Sequence, residues 1–197
     1  MQVPLIDLKS QYLNIRVELN KAVENVLSNG NFILGEEVKR LEDEMAKYLG
    51  VKYAIGVNSG TDALYLALRG LNIKSGDEVI TTSFSFFATA EVISLAGAKP
   101  VFVDIRPDTY NIDANQIRSK ITKNTKAIIP VHLYGQPADM DEIMKIAKEY
   151  NLKVIEDDAQ CIGAEYKKAK ACSIGDIGCL SFFPTKNLGG AGDGGMV

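Results

Sequence analysis

Lys186 is the side chain around which the chemistry of this sequence can be organised. It follows the apolar, strand-like run Leu180-Ser181-Phe182-Phe183-Pro184-Thr185 and precedes the glycine-rich stretch Gly189-Gly190-Ala191-Gly192-Asp193-Gly194-Gly195. Desolvation favours the neutral form of an amine, and that form is the nucleophile that Schiff-base chemistry needs. The plainer alternative is a surface lysine with a solvated head. Asp157 is the second candidate, in Val154-Ile155-Glu156-Asp157-Asp158. A carboxylate closing a buried strand must meet a cation or hydrogen-bond donors. The partner could be a metal, although His132 is the only histidine and no His or Cys cluster accompanies it. It could instead be a protonated ring nitrogen, which the carboxylate would keep charged. A purely structural role is the third reading.

Asn58-Ser59-Gly60-Thr61-Asp62 leads from a predicted strand into a predicted helix. Gly60 permits close backbone approach, the first helical amides favour an anion, and the Thr61 hydroxyl adds a donor. The motif is either a phosphate cup or a plain helix cap by Ser59 or Thr61. Phe84, Phe86 and Phe87 sit at another strand–helix junction, where aromatics are ordinarily core; one of them could lie flat over a planar ring. Gly190, Gly192 and Gly195 spell G-x-G-x-x-G, but without the helix and acidic residue that a dinucleotide fingerprint requires. No P-loop motif occurs. His132 reads as a structural strand-end histidine, and the mixed charges over residues 36–47 as a solvated face.

These residues need elements to position them. Apolar spacing predicts helices over residues 12–28 and 36–49, which read as an N-terminal arm. A β-loop-α rhythm follows, with strands over 53–57, 78–82, 101–104, 126–133 and 153–157. The intervening helices fall over 62–71, 88–96, 115–121 and 140–150. Further strands are predicted over 179–183 and 195–197. Strands separated by helices imply right-handed crossovers and a largely parallel α/β sheet covered on both faces. Ligands of such sheets sit at the carboxyl ends of the strands. Those ends carry Asn58–Asp62, Ser83–Phe86, Asp157–Gln160 and Ser181–Lys186. The last predicted strand stops at Val197, which reads as a fragment of a longer protein.

The composition excludes several classes. With 197 residues, the chain is long enough for one domain and its own core. Apolar residues are 46% and charged residues 24%, which argues against disorder. A net charge of −3 and a pI near 5.3 lack the basic patch of a nucleic-acid binder. No apolar run is long enough to span a membrane, and the first residues have neither the basic nor the apolar region of a leader. Cys161, Cys172 and Cys179, without a CxxC pair, read as free thiols in a reducing cytoplasm.

Taken in order, these motifs resemble the DegT/DnrJ/EryC1/StrS family, the pyridoxal-phosphate (PLP) sugar aminotransferases of the aspartate-aminotransferase fold. The resemblance covers the whole chain from Pro4-Leu5-Ile6-Asp7-Leu8-Lys9 and includes Asn31-Phe32-Ile33-Leu34-Gly35 and Gly97-Ala98-Lys99-Pro100-Val101-Phe102-Val103-Asp104. It implies a three-layer, fold type I PLP-transferase large domain with a mostly parallel seven-stranded sheet. Residues 1–50 would be the helical arm and 51–197 the PLP-binding domain, incomplete at its C-terminus and without the small domain. Lys186 would hold PLP as an imine and shuttle the proton. Asp157 would keep the pyridine nitrogen protonated, Gln160 would bind the phenolic oxygen, and Phe86 would stack on the ring. Gly60, Thr61 and Ser181 would hold the phosphate. The family commonly has alanine where this chain has Asp158, whose side chain is expected to point away.

The resemblance further implies transfer of an amino group from glutamate to a nucleotide-linked keto sugar, closest to members acting on 3-keto sugars. The partners are then keto sugar, glutamate or 2-oxoglutarate and a second copy of the chain in a homodimer, with no nucleic acid or membrane. A PLP-dependent sugar dehydratase, in which histidine replaces the lysine, and a silent PLP-fold regulator or partner subunit are the alternatives. Family members are about twice this length, so weak or absent turnover is expected of this chain alone.

Overall fold

Two N-terminal helices are fixed by their caps. The computed structural model describes residues 3–197; Met1 and Gln2, which belong to the expected arm and to the leader reading, lie outside the described residues. The Asp7 carboxylate accepts from the Ser10 amide at 3.0 Å, so α1 (Leu8–Asn29) begins earlier than its apolar spacing predicts. Gly30 closes it in the left-handed conformation, with φ 69°. α2 (Glu36–Leu49) has the predicted bounds and stops at Gly50, φ 71°. The two helices pack differently. α1 buries no residue, whereas α2 buries Met45 and Leu49 against Leu180 and Met196.

The remainder alternates strand and helix. The strands are β1 (Gly56–Val57), β2 (Glu78–Thr82), β3 (Lys99–Val103), β4 (Thr125–Ile128), β5 (Lys153–Asp157), β6 (Glu165–Tyr166), β7 (Ala169–Lys170), β8 (Ile177–Ser181) and β9 (Gly195–Met196). Between them lie α3 (Gly60–Gly70), α4 (Ala88–Leu95), α5 (Ala114–Ile117) and α6 (Met140–Tyr150). Seven strands form one sheet in the order β1-β9-β8-β5-β4-β2-β3. β9 runs antiparallel to β1 and β8, while β2–β3, β2–β4, β4–β5 and β5–β8 are parallel. The predicted mostly parallel, seven-stranded sheet is therefore the one that forms.

Strand alternation builds the three layers. Val79, Ala127, Ile129 and Ile155 pack in one apolar cluster with Leu64 and Leu68 of α3 and Val92 and Ile93 of α4. Ile80, Ile128 and Val154, their neighbours in sequence, pack in a second with Ile117 of α5 and Met140, Ile143 and Ile146 of α6. Each fully buried Val, Leu, Ile or Met side chain among them contributes about 1.5–3 kcal/mol of transfer free energy.

Several local predictions need correction: the strand predicted over 53–57 forms only at Gly56–Val57, and the one over 179–183 lies two residues earlier as β8. β4 stops at Ile128 instead of reaching residue 133, because Pro130 has no amide to donate to a ladder; Val131 keeps only an isolated bridge to Asp157. The helix predicted over 115–121 is the single turn α5 followed by a 3₁₀ turn at Arg118–Lys120. The β6–β7 hairpin was not predicted. It turns through Lys167 and Lys168, both left-handed at φ 48° and 74°, where Asn-Gly would have announced it.

Candidate active site

The carboxyl ends of β1, β2, β5 and β8 surround a cleft of about 520 Å³. Gly60, Thr61, Phe86, Asp157, Gln160, Ser181 and Lys186 all line it, so every predicted site residue reaches one place. The β-loop-α order explains this convergence, since each contributing loop leaves the sheet on the same edge.

The first wall is the start of α3. The Ser59 hydroxyl caps it by accepting from the Asp62 amide at 3.0 Å. The capping and anion-cup readings are thus compatible: Ser59 caps, and the first-turn amides have no acceptor within the helix. Gly60 lies so close to β8 that a Cβ would come 2.6 Å from the Ser181 Cβ. On β9, a Cβ at Gly195 would meet the Ser59 carbonyl oxygen at 2.3 Å. Gly195→Ala is therefore expected to destabilise the protein by about 1–3 kcal/mol through overpacking. Urea unfolding checks this, and an unchanged midpoint would contradict the close approach.

The second wall is β5. Asp157 is buried, with Oδ2 accepting from Thr89 Oγ1 at 2.8 Å and Oδ1 from the Ala159 amide at 3.2 Å. Burial pushes its carboxyl above the ordinary range; the Thr89 and Ala159 hydrogen bonds and the nearby Lys186 oppose that rise. A cation arriving from the cleft would favour the carboxylate strongly. The sequence reading missed Thr89. It is an ordinary helical threonine whose one sequence cue is its place one turn after Phe86. Ser85, within 3.2 Å of Thr89 Oγ1, extends the same hydrogen-bonded chain along the cleft.

Glu156 and His132 form a separate buried support behind that strand. His132 Nδ1 accepts from the Ala138 amide at 3.0 Å, which places the ring proton on Nε2, 2.9 Å from Glu156 Oε2. Glu156 also accepts from the amides of Cys172, Ile174 and Gly175 at 3.1, 2.7 and 2.7 Å. The structural reading of His132 holds, and its backbone amide donates to the Asp157 carbonyl at 3.0 Å. Asp158 is buried and does not line the cleft, as expected of a side chain pointing away.

The third wall carries Lys186, which is half-buried. Its amide donates to the Phe183 carbonyl at 2.8 Å, and the Gly190 amide donates to that of Phe182 at 2.8 Å, so both ends of the loop are tied to the strand exit. The setting is less apolar than predicted, because Thr185 and Asp193 share it. Gln160 Oε1 accepts from the Tyr134 amide at 3.0 Å, which leaves its NH₂ group to donate into the cleft. Phe86 lines the opening with 70% of its surface exposed, so its ring is available to cover a flat ligand.

Comparison with known proteins places this geometry. Residues 13–197 match the DegT/DnrJ/EryC1/StrS aminotransferase family. The chain is 52% identical to the Pleiotropic regulatory protein of Geobacillus stearothermophilus, covering 100% of this chain and 53% of that protein. It is 49% identical to the UDP-2-acetamido-2-deoxy-3-oxo-D-glucuronate aminotransferase of Pseudomonas aeruginosa, covering 99% and 54% respectively. The crystal structure of DesV from S. venezuelae, in complex with a ketimine intermediate, superposes with a TM-score of 0.97 at 44% identity, covering 99% of this chain and 53% of that one. The chain thus spans about half the length of the curated relatives it matches.

Proposed function

This chain belongs to the DegT/DnrJ/EryC1/StrS aminotransferase family, and from that premise we propose that it binds PLP and transfers an amino group from glutamate to a nucleotide-linked keto sugar. The observation that carries this reading is the convergence of a lysine, a buried carboxylate and a helix N-terminus on one cleft. These residues fit the cofactor by their donor chemistry. The carboxyl of Asp157 has one donor on each oxygen and space on its cleft side, which suits a ring N–H. Gly60 keeps β8 and the α3 amides close enough to share one phosphate.

When bound, PLP supplies an electron sink for the carbanion left as the amino donor loses its α-proton. The residues of this chain do the rest. Lys186 Nζ would hold the cofactor and, when free, would take and return the proton. Asp157 keeps the ring nitrogen protonated, with Thr89 fixing the plane of its carboxyl. The Gln160 NH₂ would donate to the phenolic oxygen, Phe86 would cover the ring, and the Gly60 and Thr61 amides and the Ser181 hydroxyl would hold the phosphate.

Among the described residues Lys186 is the only cation lining the cleft. The carboxylates of glutamate and the diphosphate of a sugar nucleotide need more positive charge than that. We assign the balance to the rest of the protein and to a second copy in a homodimer with shared sites. The substrate is a 3-keto sugar in this reading, the pathway amino-sugar or polysaccharide biosynthesis, and the location the cytoplasm. No helix among the described residues is long and apolar enough to cross a membrane. The name of the Geobacillus relative supports a second reading, a regulator on the same scaffold. Glutamate labelled at nitrogen, supplied with a 3-keto nucleotide sugar to the whole protein, decides between them by product mass. A labelled amino sugar is expected; retained PLP with no transfer would refute the enzyme, and elimination of hydroxyl would make it a dehydratase.

A further inference from the structure

Three consecutive acids, Glu156, Asp157 and Asp158, are buried at the end of β5, and they are not equally served. Glu156 accepts from four groups and Asp157 from two. Neither carboxyl oxygen of Asp158 has a hydrogen-bond partner of ordinary geometry, and the Cys161 thiol, a weak donor, is the one side-chain group that bonds toward it. Desolvation disfavours the charged form of a carboxylate so placed, which keeps the group protonated. Its surroundings reinforce this. Glu156 and Asp157 face it from β5, Cys161 from the following turn, Cys172 from the loop before β8, and Cys179 from β8 itself. No cation appears in that set. The three thiols are themselves pushed up, Cys161 to about 12, by burial first and then by the acids, so they stay neutral. Burial first, then the charges of Glu156 and Asp157, push the Asp158 carboxyl up to about 8.

Resting on the reading that PLP pairs with Asp157, we propose that Asp158 is a titratable positioning residue: a neutral acid behind Asp157 in the empty cleft, which yields its proton to solvent when a cationic ring occupies Asp157. The sign follows from charge. With the cleft empty, negative charge on Asp157 has no ring cation to offset it and opposes ionisation of Asp158. A ring N–H⁺ on Asp157 cancels that opposition and adds an attraction of its own. By reciprocity, the ring binds more tightly once Asp158 is ionised.

The test is calorimetric titration of the apoprotein with PLP near pH 7.5, in two buffers of different ionisation enthalpy, for wild type and Asp158→Asn. Wild type is expected to release roughly half a proton more per cofactor than the variant, because only it has an acid poised near that pH. Equal proton counts in two proteins that both bind PLP would overturn the proposal. If wild type fails to bind PLP, the cofactor reading itself falls, and a second measurement isolates Asp158. An acid with a raised folded-state pKa loses stability as pH climbs from 3.8 toward about 8, since the unfolded chain ionises first; above that the loss stops growing. The apo wild-type melting temperature should therefore fall across that window by more than that of Asp158→Asn. Parallel profiles would show that Asp158 is not the neutral acid. A variant that folds but no longer takes up PLP is judged by the same pair of profiles.

Discussion

Lys186→Ala is expected to lower transamination by the whole protein by on the order of 10⁴-fold or more, with the absorbance of the lysine-linked cofactor lost. The size follows from the two tasks proposed for one nitrogen: covalent attachment and proton transfer. Losing either removes a step that no neighbour replaces, since Lys186 is the only cation lining the cleft among the described residues. Lys186→Arg keeps the charge but has no neutral amine to offer, so it should fail as badly. An arginine variant with appreciable turnover would mean that position 186 acts by charge alone. The alanine variant should still fold, because the side chain is half-buried and the loop is held by backbone bonds from Lys186 to Phe183 and from Gly190 to Phe182.

Asp157→Asn comes next in size. A carboxylate and a ring cation about 4 Å apart attract by about 4 kcal/mol at an effective dielectric of 20. Losing that hold on the ring proton should slow the reaction by on the order of 10³-fold. The amide is nearly isosteric: its carbonyl oxygen can still accept from the Ala159 amide, and its NH₂ can donate to Thr89 Oγ1, whose own proton can turn to the Phe86 carbonyl. Burial raises the Asp157 pKa, so the native carboxyl costs stability at neutral pH that the neutral amide does not. The apo variant is therefore expected to melt no lower than wild type, separating the chemical defect from folding. A variant that unfolds earlier, or keeps wild-type turnover, would contradict the assignment.

Both predictions rest on residues legible from the sequence, and the reason is structural. Lys186, Asp157 and Gly60 each stand where a strand pattern ends, and in a parallel sheet those ends share an edge. The strands themselves showed through as apolar runs punctuated by helical spacing, and β2 and β5 have the predicted bounds. Features set by tertiary contact did not show. Thr89 reaches Asp157 across 68 positions, and His132 reaches Glu156 across 24, and nothing local in the sequence names either partner. Asp158 read as an incidental neighbour because only packing reveals that no hydrogen bond of ordinary geometry reaches it. β4 was overextended because Val131-His132-Leu133 has strand composition while Pro130 interrupts the ladder, leaving only the Val131 bridge beyond it.

One amine carries the account, and its product with PLP can be trapped. Borohydride added to the cofactor-treated protein should fix the pyridoxyl group by a stable bond, and peptide mass mapping then finds where it sits. The expected result is a single modified peptide carrying the group on Lys186, absent from the Lys186→Ala protein. A pyridoxyl group on any other lysine, or no modification in protein that has bound PLP, would contradict the assignment of this cleft.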